Sequence, residues 1–174
     1  MENIRITSGS LRGRSIKSPR SSLTHPMGSR EKLALLNMVA GILPGARVLD
    51  AFAGSGALGI EAISRGASYA VFVEKAPKVA RIIKENLASL GISEKAEVIC
   101  EDVSSFTSAE KFQLIIADPP YDKFQGIKLD NLAEMLDEAG ILALSHPGEA
   151  PEIAGLRLLK TSAYANARIS LYRR

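Results

Sequence analysis

The strongest constraint on this chain is the run Val48-Leu49-Asp50-Ala51-Phe52-Ala53-Gly54-Ser55-Gly56-Ala57-Leu58-Gly59, which passes from an apolar strand through a glycine turn into a helix. A turn of this kind belongs at the carboxyl end of a strand in an open α/β sheet, where nucleotides bind. It satisfies G-x-G-x-x-G, and Glu74 follows Gly54 by twenty residues at the end of the next apolar run, placed to accept both hydroxyls of a ribose. The spacing alone fits NAD or S-adenosylmethionine. Asp50 separates them, because a carboxylate beside the loop repels a pyrophosphate and attracts an ammonium or sulfonium. Gly54 and Gly56 let the backbone approach a ligand, and Gly59 allows close contact between helix and sheet. Asp102, after the third strand, is placed to accept an adenine amino group. Each acid also has a plainer role, Asp50 capping a helix or turn and Asp102 capping its own loop.

The flanking sequence supports an α/β fold. Strands are predicted over Arg47 to Ala51, Tyr69 to Glu74, Ala96 to Glu101 and Phe112 to Ala117, with helices over Ala57 to Arg65 and Pro77 to Leu90. This is the βαβ rhythm of an open parallel sheet. A helix over Leu129 to Glu138, a strand over Gly140 to His146, and strands over Leu156 to Ser162 and Ala167 to Arg173 complete the reading. Upstream, Ile4 to Ser8 and Arg14 to Ser18 alternate as strands around Ser10-Leu11-Arg12-Gly13, a hairpin connection. Pro19 to Met27 reads as a loop. Apolar residues from Leu33 to Leu43 then repeat at helical spacing until Pro44-Gly45. One domain is expected over 1–174, with a hairpin-and-helix extension over 1–45 and a core that carries the glycine loop over 46–174.

Charge is unevenly placed. Residues 1–32 carry seven cations against two acids, whereas the remainder carries 15 against 17. A basic front suits a surface that meets phosphates. The single cysteine, Cys100, excludes an internal disulfide, and His25 and His146 stand too far apart to suggest a metal site. No apolar run is long enough for a membrane span and the first residues lack a secretion signal, so the chain is expected to stay in the cytoplasm; a monomer is expected as well.

Asp118-Pro119-Pro120-Tyr121 follows the apolar Leu114-Ile115-Ile116-Ala117 and so lies on the same sheet edge as the glycine loop. Two prolines fix φ and carry no N–H, which leaves the carbonyl between them a rigid acceptor. An exocyclic base amine is a poor nucleophile, because its lone pair is delocalised into the ring. Accepting its two protons, one at the Asp118 carboxylate and one at the Pro119 carbonyl, would aim that lone pair at a methyl donor. Tyr121 offers a flat face on which an extruded base can stack.

With these residues in view, the chain resembles the bacterial family that methylates the guanine exocyclic amine of small-subunit (16S) ribosomal RNA. The similar stretches are Ser8 to Pro19, Arg30 to Asn37, Val48 to Ala67, Val73 to Lys75, Asn86 to Ile92, Asp118 to Tyr121 and Tyr164 to Tyr172. The resemblance implies a doubly wound Rossmann-like class I methyltransferase sheet of about seven strands, the last antiparallel, preceded by a basic hairpin and helix. It implies S-adenosylmethionine as cofactor, held by Asp50, Phe52, Gly54, Gly56, Glu74, Lys75, Asp102 and Val103, and ribosomal RNA or the assembling small subunit as partner. Arg12, Arg14, Lys17, His25 and Arg30 would contact RNA phosphates or close over the cofactor. The chain departs from the family pattern at Met27-Gly28-Ser29, Ser145, Ala165 and Ala167.

Three other functions share parts of this signature. A DNA adenine methyltransferase could use the same tetrapeptide, although 174 residues leave no visible target-recognition domain. A non-catalytic RNA-binding assembly factor could keep the fold, and an NAD-linked oxidoreductase could keep the loop.

Overall fold

A computed structural model describes residues 2–19, 28–164 and 167–174 of the chain. Two short strands, β1 (Glu2–Arg5) and β2 (Ser15–Ser18), pair antiparallel before helix α1 (Ser29–Met38). There follow β3 (Arg47–Asp50), α2 (Ala57–Ser64), β4 (Tyr69–Val73), α3 (Pro77–Leu90), β5 (Ala96–Ile99), β6 (Phe112–Ala117), α4 (Leu129–Glu134), β7 (Leu136–His146), β8 (Arg157–Ala163) and β9 (Arg168–Arg173). The main sheet has seven strands in the order β5-β4-β3-β6-β7-β9-β8, parallel from β5 to β7, with β9 antiparallel to both neighbours. The expected doubly wound sheet with an antiparallel last strand is therefore what forms.

Alternation explains why the central strands read as continuous apolar runs. Val48, Phe72, Leu114, Ile116 and Ile141 point to one side, where they meet Leu35, Ile60, Ile83 and Leu87 of α1, α2 and α3. Leu49, Val71, Ile115 and Leu142 point to the other, where they meet Leu129 and Leu132 of α4 together with Phe106 and Ile153. A strand buried on both faces has no polar side to display. Among the described residues no helix is long and apolar enough to cross a membrane.

The largest shifts in the expected boundaries fall at three places. β1 ends at Arg5, not Ser8, because Thr7 turns onto α2: its N–H and hydroxyl bond the Glu61 carboxylate at 2.9 and 2.6 Å. The connection is consequently longer than a tight hairpin turn, and Ile6 and Arg14 still close it through a 2.8 Å backbone bond. α1 ends at Met38, and the apolar spacing continues to the buried Leu43 through turns. The helix expected to reach Glu138 stops at Glu134, and β7 begins at Leu136, which pairs with Phe112. Cations collect the freed carbonyls there: Lys111 Nζ donates to the Glu134 carbonyl at 2.6 Å and Arg174 Nη1 to that of Leu136 at 2.9 Å. Positive charge at a helix carboxyl end stabilises the stop.

Candidate active site

Four adjacent strands end on one edge, and each delivers an acid there. Asp50 closes β3, Glu74 follows β4, Asp102 lies just past β5, and Asp118 follows β6. Parallel pairing aligns these ends, with Asp50 opposite Phe72 on one side and Ile116 on the other. The glycine loop rises from the middle of this row. Its backbone is tied to both neighbours, since Ala51 N–H donates to the Ile116 carbonyl at 2.9 Å and Ala53 N–H to that of Val73 at 3.0 Å.

Gly54 has φ +52° and nothing within 4 Å of where a Cβ would stand, so its outer side is open. Gly59 behaves as the sequence suggested: a Cβ there would come within 2.3 Å of the Phe72 ring, so only glycine lets α2 sit this close to β4. Glu74 braces the loop, accepting from Gly54 N–H at 3.0 Å through one oxygen and from Ala76 N–H at 2.8 Å through the other. Phe52 and Val103 are half-buried and pack against the α4-side core. Lys75 is exposed, its Nζ 3.9 Å from Asp102 Oδ2.

Asp50 is 1% exposed. One oxygen accepts from Gly59 N–H at 2.9 Å, the capping role, while Oδ1 is buried without a hydrogen-bond partner among the described residues. Desolvation is the largest influence on this carboxyl and raises its pKa from 3.8 to about 7; the Gly59 bond and Lys32 pull it down, and the charges of Asp118 and Glu74 push it up. An acid this starved of counter-charge fits a cationic ligand, since a cation beside Oδ1 would satisfy both its lone pairs and its charge. The chemistry of the site therefore suits the amino group of an S-adenosylmethionine-type molecule. Asp102 adopts its plainer role as well, accepting from the Ser104 N–H at 3.0 Å and hydroxyl at 2.8 Å, which holds its pKa below the ordinary value.

Pro119 is buried and Pro120 half-buried, and Tyr121 opens a 3-10 segment over Tyr121–Gly126. Asp118 is close enough for its charge to be felt by both Asp50 and Tyr121. The tetrapeptide and the loop thus share one small volume. An open cleft lies beside Tyr121, lined by Lys123, Phe124 and Pro147.

The residues expected to meet RNA divide. Arg12 and Arg30 are exposed. Arg14 is exposed too, and its guanidinium also caps α3, donating to the carbonyls of Ser89 at 2.7 Å and Leu90 at 3.3 Å. Lys17 lies 3.5 Å from Glu85. His25 lies outside the described residues. Sequence reasoning gave no role to Asn86, which is 1% exposed, accepts from Lys17 N–H at 2.8 Å and donates to the Lys17 carbonyl at 2.9 Å and the Ser55 carbonyl at 3.2 Å. It joins β2 to the glycine loop. Ser145 stood out in the sequence only as a departure from the family pattern, and its hydroxyl meets that of Tyr121. No sequence signal marks such a pair, because 24 residues separate them.

A family profile described as "Conserved hypothetical protein 95" matches residues 4–173. YlbH of Bacillus subtilis, whose name assigns it provisionally to the rRNA methyltransferases, is 35% identical over 98% of this chain and 99% of its own. The ribosomal RNA small subunit methyltransferase D of Escherichia coli is 35% identical over 80% of this chain and 70% of its own. The chain belongs to this methyltransferase D family. Family likeness extends to the architecture: the solved structure of yhhF from Escherichia coli, provisionally a methyltransferase by name, has a TM-score of 0.89 at 28% identity, covering 99% of this chain and 98% of its own. The fold reaches further still. A SAM-dependent methyltransferase from Thiobacillus denitrificans, solved with S-adenosyl-L-homocysteine, has a TM-score of 0.60 at 22% identity over 72% of this chain and 51% of its own. The sheet of the family is thus the Rossmann-like methyltransferase sheet.

Proposed function

We propose that this protein methylates the exocyclic N2 amine of a guanine in small-subunit ribosomal RNA, using S-adenosylmethionine. The observation that carries the reading is the placement of Asp118 to Tyr121 at the end of β6, the sheet neighbour of the strand that ends in Asp50 and the glycine loop. The names of the curated relatives supply the RNA. S-adenosylmethionine, when bound, supplies an electrophilic methyl carbon. Asp50 and Glu74 would hold its cationic and ribose ends, Gly54 would admit it, Gly56 would shape the turn beside it through its left-handed φ of +79° with its Cβ side against Ile83, and Phe52, Lys75, Asp102 and Val103 would surround its base. The Asp118 carboxylate and Pro119 carbonyl accept the two amine protons, and Tyr121 stacks on the guanine. The bond from methyl to sulfur would break as the bond to nitrogen forms, leaving a neutral thioether, and the alkylated nitrogen, now acidic, would give up one proton to the Asp118 carboxylate or to water, so no strong base is required. Residues 1–45 serve RNA and 46–174 catalysis, as one working unit beside ribosomal RNA or the assembling subunit in the cytoplasm.

The test is transfer of labelled methyl groups to small-subunit RNA or particles in competition with DNA, followed by mapping of the modified base. Label in guanine N2 is expected; a preference for DNA adenine would reject the substrate.

Two further outcomes follow from the site. With Asp50 near pH 7, ligand binding below that value must release a proton, because a neighbouring cation lowers the pKa again. Affinity for S-adenosylmethionine should therefore fall by about tenfold per pH unit below 7 and level off above it. Calorimetry in two buffers of different ionisation heat reads the proton directly, and pH-independent affinity would contradict the assignment. Without ligand the sign reverses: the neutral carboxyl is the better-accommodated form, so its contribution to stability is fullest below the unfolded pKa of 3.8 and is lost as pH rises through about 7.

On the RNA side, Arg12→Ala with Arg30→Ala should weaken RNA binding and flatten its dependence on log salt by roughly one unit for each phosphate no longer neutralised. Arg14→Ala should act on stability, since its guanidinium closes α3. Equal salt slopes for the double variant and wild type would remove both arginines from the interface.

A further inference from the structure

Tyr121 is held at its hydroxyl. Its Oη lies 2.5 Å from Oγ of Ser145, a side chain with no exposed surface. Ser145 stands on β7, one residue past Leu144, which pairs with Ala117 of β6. Register thus sets Ser145 level with Asp118 on the neighbouring strand, and the phenol spans from the tetrapeptide to the next strand end. The ring itself is half-buried. Burial pushes its pKa up, and the bond to Ser145 pulls it the other way. The preceding residues of this strand, Ile141 to Leu144, are apolar and buried, so Ser145 introduces a hydroxyl where packing alone would not place one. A buried hydroxyl requires a partner, and Tyr121 supplies it.

We propose that Ser145 is a positioning residue for the methylated base: its hydroxyl anchors the Tyr121 phenol, so that a base stacked on the ring presents its amine to Asp118 and Pro119. The inference rests on the reading of Tyr121 as the stacking face. The mechanical argument is simple. A tyrosine tethered only at Cβ can swing about χ1, and a base resting on it swings too. A second anchor at Oη, on the ring axis, fixes the direction of that axis. The preference of a phenol O–H for the ring plane also restricts rotation about the axis. Loss of the anchor leaves the apolar stacking area intact and relaxes the angle at which the base is offered, an error that near-attack geometry does not tolerate.

The experiment compares Ser145→Ala, Tyr121→Phe and the double variant in steady-state RNA methylation, with the affinity for S-adenosylmethionine measured alongside. Each single change removes the same bond and is expected to lower kcat/KM for RNA by about three- to tenfold, the range of one neutral hydrogen bond. Cofactor affinity is expected to stay unchanged. The double variant should be no worse than either single one, since the bond can be removed only once. A second readout needs no RNA: ultraviolet titration of phenolate, with Tyr121 identified by its absence in Tyr121→Phe, should show this group titrating at higher pH in Ser145→Ala. Additive losses, an unchanged kcat/KM in Ser145→Ala, or an unmoved phenolate transition would each overturn the proposal. Wild-type protein that methylates no RNA would instead overturn the proposed function. If Ser145→Ala does not fold, Tyr121→Phe removes the bond from its half-buried side, and full kcat/KM in that variant would overturn the proposal.

Discussion

Asp118→Ala is expected to reduce the rate of methyl transfer by about 10²- to 10³-fold while S-adenosylmethionine still binds. The magnitude is that of removing one preorganised group aimed at charge that develops in the transition state. In the amine the nitrogen lone pair is shared with the base ring. An ionised acceptor on one of its protons pushes electron density back to nitrogen, and the effect grows as the new bond forms. Loss should therefore appear in kcat more than in KM. A second readout is built into the site. Asp118 is one of the charges that raise Asp50, so the substitution should move the pH dependence of cofactor binding to lower pH. Single-turnover transfer and binding measured on the same variant separate chemistry from folding. A rate within a few-fold of wild type would reject the acceptor role.

Gly9→Ala is expected to be the most destabilising single-methyl substitution in the amino-terminal segment. Gly9 has φ +80°, and a Cβ there would lie 1.8 Å from the carbonyl oxygen of Ser64 at the end of α2. Backbone atoms cannot step aside as a flexible side chain does. The same carbonyl accepts the Ser10 N–H at 2.7 Å, and the Ser64 hydroxyl receives the Leu11 N–H at 3.0 Å while donating to the Ser8 carbonyl. The added methyl must pull all three bonds apart. Overpacking combined with left-handed strain should cost about 3 kcal/mol, seen as a lower denaturant midpoint. Loss of amide protection should concentrate between residues 2 and 18. Gly13→Ala is the control: it too has a left-handed φ, +86°, but nothing lies within 4 Å of the new methyl, so its cost should be near the strain alone, about 1 kcal/mol. Equal effects of the two substitutions would show that docking on α2 contributes little. Because the docked loop carries Arg12, RNA affinity should fall with it.

The features legible in the sequence are those written in local backbone grammar. A strand, a glycine turn and a helix, then an acid one strand later, need no knowledge of distant contacts, and the third glycine implied close contact of the helix with the sheet, though not that Phe72 is the side chain it meets. The tetrapeptide was equally readable, since Pro-Pro after a buried strand allows few backbone paths. The boundary between α4 and β7 was not readable. Asp137 and Glu138 extend the helical pattern, and only pairing of Leu136 with Phe112 and the cations Lys111 and Arg174 end the helix earlier. The same limit applies to Arg14, for which the family resemblance implies RNA phosphates or the cofactor and whose bonds closing α3 no sequence signal marks.

By itself, then, the sequence determined the order of elements, the doubly wound class, and which residues arrive at the carboxyl edge of the sheet, because strand ends and turns are decided within a few residues. Only the tertiary structure decided what those residues meet: the orphaned oxygen of Asp50, the Asn86 bridge from β2 to the glycine loop, and the anchor that Ser145 gives Tyr121. Those depend on strand register and on helices crossing far along the chain, and burial rather than residue type sets the energy of each contact.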